Sequence, residues 1–302
     1  MNTASHPRMG AREWALMLLL SVVWGSSFFF YKVLVQELPP LTVVMGRVTL
    51  AAIALNLILA SRRSSLRPVL PLAPQFFVLG ILNNVVPFIL ICWGETRVTS
   101  GLASILNATT PVFGVLTTHF LTDNERLSWG KAAGVALGFS GVAVLVGPAA
   151  LHGSSDVPGE IACLLGAFVY SLGGIYGRRF RDIPALTVAT GQITAAAIIM
   201  LPLAMLADRP WTLAMPSAGA WEAMLAISLL CTAFAYLLFF RILAVAGATN
   251  IFLVTFLLPI SALALGYFAL GETIQPQAYA GVALIGLGLA AIDGRLWKRF
   301  RR

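Results

Sequence analysis

The stretch Leu102–Leu127, LASILNATTPVFGVLTTHFLTDNERL, reads as an apolar helix with Asn107, Thr109, Thr110 and Pro111 in its middle and an acidic turn at Asp123 and Glu125 behind it. A second version runs from Ala248 to Ile274. There Asn250, Thr255 and Pro259 lie inside an apolar run that ends in Gly271-Glu272-Thr273-Ile274. One arrangement occurs twice, and the rest of the chain divides around it.

Composition says which solvent this pattern meets. With 59% hydrophobic and 11% charged residues in 302, and a mean hydropathy of +0.88, the chain is too apolar to cover a water-facing surface. Crossing the hydrocarbon core takes about 20 mainly apolar residues. Segments of that length tile almost the whole sequence, leaving no room for a soluble domain.

A net charge of +8 would by itself also suit nucleic acid, so the positions of the basic residues decide. Placing the N-terminus in the cytoplasm puts Arg8, Arg12, Arg62, Arg63, Arg67, Arg126, Lys131, Arg178, Arg179, Arg181, Arg241, Arg295, Lys298, Arg299, Arg301 and Arg302 inside. Only Lys32, Arg97 and Arg209 then fall outside. This is the positive-inside pattern, so the partner is the lipid bilayer, not nucleic acid. The N-terminus is polar as far as Arg12 and has no small-residue cleavage site after its first apolar run, which is therefore read as a retained helix.

Hydropathy predicts ten spans. They cover Trp14–Val35, Pro39–Ala60, Ala73–Thr96, Thr99–Leu121 and Trp129–Pro148, then Gly159–Arg178, Pro184–Leu206, Ala220–Phe240, Gly247–Leu270 and Pro276–Ile292. Leu38–Leu55, LPPLTVVMGRVTLAAIAL, aligns without gaps to Ile183–Met200, IPALTVATGQITAAAIIM, with about half the positions identical. Gly134 and Gly141 match Gly281 and Gly288. The predicted fold is thus an all-α integral membrane protein of ten transmembrane helices, with both termini cytoplasmic. Residues 1–148 form a first repeat, 149–158 a periplasmic linker and 159–302 a second repeat. Five helices per copy is an odd number, so the second copy enters the membrane from the opposite face. Such inverted repeats are a mark of transporters that alternate access around a midplane site.

These residues resemble a known family. The two five-helix copies, Trp24-Gly25-Ser26-Ser27, Arg47, Pro111 and Pro259, and the Glu125-Arg126-Leu127 and Glu272-Thr273-Ile274 turns look like the EamA domains of the drug/metabolite transporter superfamily. Among its members the chain is most similar to the YddG-type aromatic amino-acid exporters. The resemblance implies a secondary transporter of the bacterial inner membrane that exports aromatic and other neutral amino acids or related small metabolites. A carrier of drugs, nucleobases or sugars is the alternative within the superfamily. The copies have diverged: Trp24 has no Trp counterpart, and Arg47 is replaced by Gln192.

A polar side chain in hydrocarbon must find a partner. Asn83 and Asn84 precede Pro87, Asn107, Thr109 and Thr110 precede Pro111, and Asn250 and Thr255 precede Pro259. A proline deprives the carbonyl one turn earlier of its donor and bends the helix. Such carbonyls, with Asn and Thr side chains, suit the ammonium and carboxylate of a zwitterion. The competing role for any one of them is joining helices, at about 0.6 kcal/mol per bond. Trp24, Tyr170 and Tyr236 supply aromatic faces for a ring in the substrate. Arg47, roughly 12 Å into its helix, is expected to pair with Glu95 or cap helix-end carbonyls, with a substrate carboxylate as the second role.

Other chemistry is not indicated. Cys92, Cys163 and Cys231 show no metal or redox spacing, His6, His119 and His152 are scattered, and no nucleotide signature is present, so no cofactor, metal or ATP is expected. Asp123 and Glu125 are the groups a membrane transferase could use, but their Glu272 counterpart makes them turn residues, and no enzyme activity is expected. Glu13, Glu95 and Glu222 all lie near helix ends, which points to facilitated diffusion down the substrate gradient or to only loose ion coupling. The glycines of the fifth and tenth helices mark close packing, within a monomer or across a homodimer.

Overall fold

The computed structural model describes residues 11–122, 129–151, 156–246 and 254–293, and these are all-helical, without strands. Helix α1 spans Ala11–Leu34 and α2 Pro40–Ser61. Helix α3 is the span Arg67–Glu95, with a π-helical segment at Ile81–Val85 in its middle. Helices α4, Ser100–Asn107, and α5, Thr110–Leu121, follow. Then come α6, Trp129–Leu151, α7, Val157–Gly177, and α8, Ala185–Ala207. Helix α9 is built from Ala218–Leu225, a π-helical segment Ala226–Phe234, and Ala235–Ala246. Helices α10, Val254–Leu270, and α11, Pro276–Asp293, complete the described chain.

Helix starts obey local chemistry. Thr99, Asp156 and Ser217 each accept from a backbone amide of the first turn of α4, α7 and α9, and Pro40 occupies the first position of α2, where its missing amide hydrogen is harmless. Six of the helices are long and apolar enough to cross a membrane, and shorter apolar helices lie at Trp129–Leu145, Leu257–Leu270 and Pro276–Ile292. Leu57, Leu206 and Phe268 are 66%, 79% and 83% exposed, a surface suited to lipid and not to water. The chain is a multi-pass membrane protein.

The expected single helix Thr99–Leu121 is two. Ala108 and Thr109 form a turn, and the hydroxyls of Thr109 and Thr110 donate to the carbonyls of Leu106 and Asn107, the second of which has lost its amide donor to Pro111. Before Pro87 the departure from α-helix is the π segment, another way of accommodating a missing donor. At Pro259 α10 continues without interruption. Asn250, Asp123 and Glu125 lie outside the described residues.

The main core joins α1, α2, α3, α8 and α9 through residues such as Leu20, Val44, Leu55, Ile193 and Ile227. Helices α6 and α11 pair beside it. A Cβ at Gly134 would stand 2.5 Å from the Gly288 carbonyl oxygen, so the stripe of small residues is used within one chain.

Candidate functional site

The aligned segments of α2 and α8 carry Gly46-Arg47 and Gly191-Gln192 at the same register. A Cβ at Gly46 would meet Met224 Sδ at 2.7 Å, and one at Gly191 would meet the Phe76 ring at 2.7 Å. Thus α2 is drawn against α9 and α8 against α3. The residue after each glycine then reaches the π segment of the facing helix. Arg47 Nε donates to Thr232 Oγ1 at 2.9 Å, and Asn83 Nδ2 donates to Gln192 Oε1 at 3.1 Å. The π turn itself holds Thr232, whose hydroxyl donates to the carbonyl of Ile227 five residues earlier. Each π segment inserts one residue and re-aims the side chains around it, as such bulges do at functional sites.

Arg47 is 5% exposed. Its guanidinium carbon lies 3.8 Å from the centroid of Phe88 and 5.0 Å from that of Tyr31. Among the described residues no carboxylate comes within ion-pair distance of it; the recorded pair is Arg97–Asp156, at 3.0 Å on the surface. Around this cation the Tyr236 hydroxyl donates to Asn84 Oδ1 at 3.1 Å, and the buried Asn84 Nδ2 has no acceptor among the described residues. Tyr170 packs edge-on to Phe88 at 6.4 Å, and Trp24 reaches Tyr236 through Phe239 and Phe240. An unpaired charge in such surroundings is costly. A guanidinium, a free amide donor and aromatic walls are together what a planar carboxylate on a partly apolar molecule needs.

The structure therefore brings Asn84, Tyr170, Tyr236 and Trp24 into one neighbourhood, while Asn83 turns to Gln192 of α8. It does not pair Arg47 with Glu95, as the sequence suggested. Arg47 meets α3 at Phe88, about two turns before Glu95, and takes a hydroxyl and two rings instead. Asn107 and Thr110 bond to each other across the α4–α5 turn, though Asn107 Oδ1 is buried without a donor among the described residues. Thr255 is half-buried on α10. Trp93 is a partly exposed ring under Arg97. Tyr31, Phe88 and Thr232 were not anticipated. The signal for Thr232 was a hydroxyl within the apolar run AISLLCTAF, no louder than its neighbour Ser228.

A mostly apolar groove between α2 and α8 is lined by Ile53, Leu57, Ile198 and Leu201 together with Asn56 and Thr194, and Arg47 is not among its lining residues.

Known proteins agree on the class. An uncharacterized transporter, YoaV of Bacillus subtilis, is 24% identical over 280 residues, covering 90% of this chain and 94% of its own. The uncharacterized inner membrane transporter YedA of Escherichia coli K12 is 27% identical over 274 residues, with 89% and 86% covered. A protein of Streptantibioticus cattleyicolor described as a probable terminal-alkyne amino-acid exporter is 28% identical over 297 residues, with 97% of each covered. A crystal structure 20% identical in sequence superimposes with a TM-score of 0.67, covering 95% of this chain and 99% of the other, so the fold is shared. The model of the EamA-like transporter family matches twice, at residues 12–147 and 157–292, and the chain belongs to that family.

Proposed function

We propose that this transporter exports amino acids, aromatic and other neutral ones among them, or related carboxylate metabolites across the bacterial inner membrane by alternating access. The observation that carries the reading is Arg47, a buried guanidinium whose partners are a hydroxyl and two aromatic rings. A substrate carboxylate supplies the missing countercharge, Asn84 Nδ2 donates to it, and Trp24, Tyr170 and Tyr236 face the side chain. Asn107, Thr110 and Thr255 extend the polar surface toward the ammonium. Arg47 thereby moves from a structural role to the first substrate contact.

The architecture proposed around this site is ten spans in two inverted copies, with α4 and α5 counted as one broken span. The copies are residues 1–148 and 159–302, joined by 149–158 on the periplasmic side, with both termini cytoplasmic. Two family matches of equal length support the division, and the Gly46-Arg47 and Gly191-Gln192 correspondence supports a two-fold relation. The relative described as an amino-acid exporter supports the substrate class. Labelled phenylalanine efflux from proteoliposomes tests it. The expected result is saturable flux, inhibited by free amino acids and not by their amides. Flux equal to that of empty vesicles removes the amino-acid claim.

A further inference from the structure

The last turn of α3 holds a second buried ionisable group that the substrate site does not use. Glu95 is 0% exposed, and neither of its carboxyl oxygens has a hydrogen-bond partner among the described residues. Lys32 approaches from α1, yet two of its three ammonium donors go to main-chain oxygens, the carbonyls of Glu95 and Val98 at 2.8 Å each, and the remaining donor does not reach the Glu95 carboxyl. A carboxylate beside an ammonium would take that donor. A carboxylic acid, carrying its own proton, leaves the ammonium free to cap the end of α3.

The surroundings seal this position. Glu272, on the connection between α10 and α11, accepts from the Ser100 and Gly101 amides and the Ser100 hydroxyl, closing α10 onto the start of α4. Asp208 holds Thr42 at the start of α2, Glu37 holds Ser217 before α9, and Arg97 pairs with Asp156 before α7. These ties all fall at one end of the bundle. The charged and titratable groups facing Glu95 are Lys32 from α1, Arg47 from α2, Cys92 from its own helix and Glu272; Cys163 of α7 also faces it, and Glu160 stands beside Cys163. Asn84, Phe88, Cys92 and Glu95 recur at helical spacing along one buried face of α3. Glu95 therefore stands between the Arg47 cluster and the tied end, where any opening of that end admits water to it first.

We propose that Glu95 is a proton-binding site that locks this end of the transporter shut: it is a neutral acid while the end is closed, and it gives its proton to water when the end opens. The ionised carboxylate then pairs with Lys32, which releases the end of α3 and favours the open arrangement. Closing takes one proton back from the same side, so acid on that side holds the end closed and alkali opens it. The proton returns to the compartment it came from, which makes transport pH-gated without net proton movement. This rests on the alternating-access reading but not on the amino-acid substrate.

The test needs no substrate. Val98, buried in the connection between α3 and α4, is replaced by Cys, and the full-length protein in nanodiscs is treated with a membrane-impermeant maleimide. Modification of that one cysteine is followed by peptide-resolved mass spectrometry and divided by the rate for the unfolded protein at the same pH, which removes the thiol's own titration. The normalised rate is expected to rise with pH, by up to about ten-fold per unit through the transition. Glu95→Gln, which imitates the protonated acid, should be slow at every pH. Where that variant does not fold, Glu95→Met carries the same expectation. A wild-type rate that does not change with pH, or a variant that follows the wild-type rise, overturns the proposal. Absence of phenylalanine flux would sink the substrate reading and leave this result untouched.

Discussion

Arg47 and Gln192 occupy the same register of two aligned helices, follow equivalent glycines and reach the π segment of a facing third helix, yet they end in different states. Gln192 and Asn83 form a neutral amide pair. Arg47 and Thr232 form a hydrogen bond that satisfies one donor of a cation, and among the described residues no anion pairs with its charge. The two family-matched segments share this local scaffold, and their polar contacts differ. One copy closes its polar contact internally, and the other keeps a charge available. On the proposed reading, a carboxylate ligand would be held in a fixed direction, with its anionic end toward α2 and α9.

The sharpest way to break the difference is to make the halves alike. Arg47→Gln removes the only charged member of the pair, and loss of one partner from a buried charge pair costs about 2–5 kcal/mol. Carboxylate transport should fall by roughly 30-fold or more, with expression and thermal stability retained, as checked by flux together with a melting curve. Wild-type flux in that variant would reduce Arg47 to packing. Thr232→Val deletes the acceptor that aims the guanidinium and keeps the charge. Affinity should weaken by roughly ten-fold, in line with a charged hydrogen bond of about 1.5–3 kcal/mol, as read by competition against labelled phenylalanine.

Gln192→Leu strikes the closed half. It leaves Asn83 Nδ2 without its acceptor, so stability should drop by about 1–3 kcal/mol while apparent affinity stays near wild type. Denaturation and competition assays on the same preparation separate the two. A large affinity loss would mean that both halves touch substrate.

The smallest effect concerns how α9, the helix carrying Thr232, is held. Glu37 accepts from the Ser217 amide at 2.7 Å and hydroxyl at 2.6 Å, and these two bonds hold its carboxyl below the usual carboxylate range. A lowered folded-state value means the contribution is present above the unfolded-state pKa and disappears as pH falls through the lowered one. The wild type should therefore melt slightly higher than Glu37→Gln near neutrality, and the two curves should converge in acid.

Much of the scaffold was readable from residues alone. The recurrence of LTVVMG as LTVATG identified α2 and α8 as counterparts, and a run of apolar segments with basic connections identified the membrane. Asn83, Asn84 and Tyr236 could be nominated because an amide or phenol in hydrocarbon needs a partner. What could not be read was the choice of partner. Arg47 and Thr232 are 185 positions apart, and no spacing rule links them. Glu95 is a carboxylate on the same face of α3, but Arg47 meets that face at Phe88, about two turns short of it. The π segments were hidden for a related reason: hydropathy patterns assume 3.6 residues per turn, and an inserted residue only shifts their phase. The break at Ala108–Thr109 was half visible, since Pro111 announced it and the hydroxyl bonds that stabilise it did not.

The π turn in α3 also bears on how this helix can change over evolutionary time. Removing a residue from an ordinary α-helix rotates everything beyond it by about 100° relative to its neighbours, which would swing Phe88, Cys92 and Glu95 off their common face. Ile81–Val85 already holds one residue more than an α turn needs. A single-residue deletion inside that segment restores plain helix and keeps the later residues in phase, whereas the same deletion after Pro87 scrambles them. Within α3 and α9, single-residue deletions that keep the helix in phase are thus confined by geometry to the π segments, and each such deletion would move the Asn or Thr there away from Gln192 or Arg47.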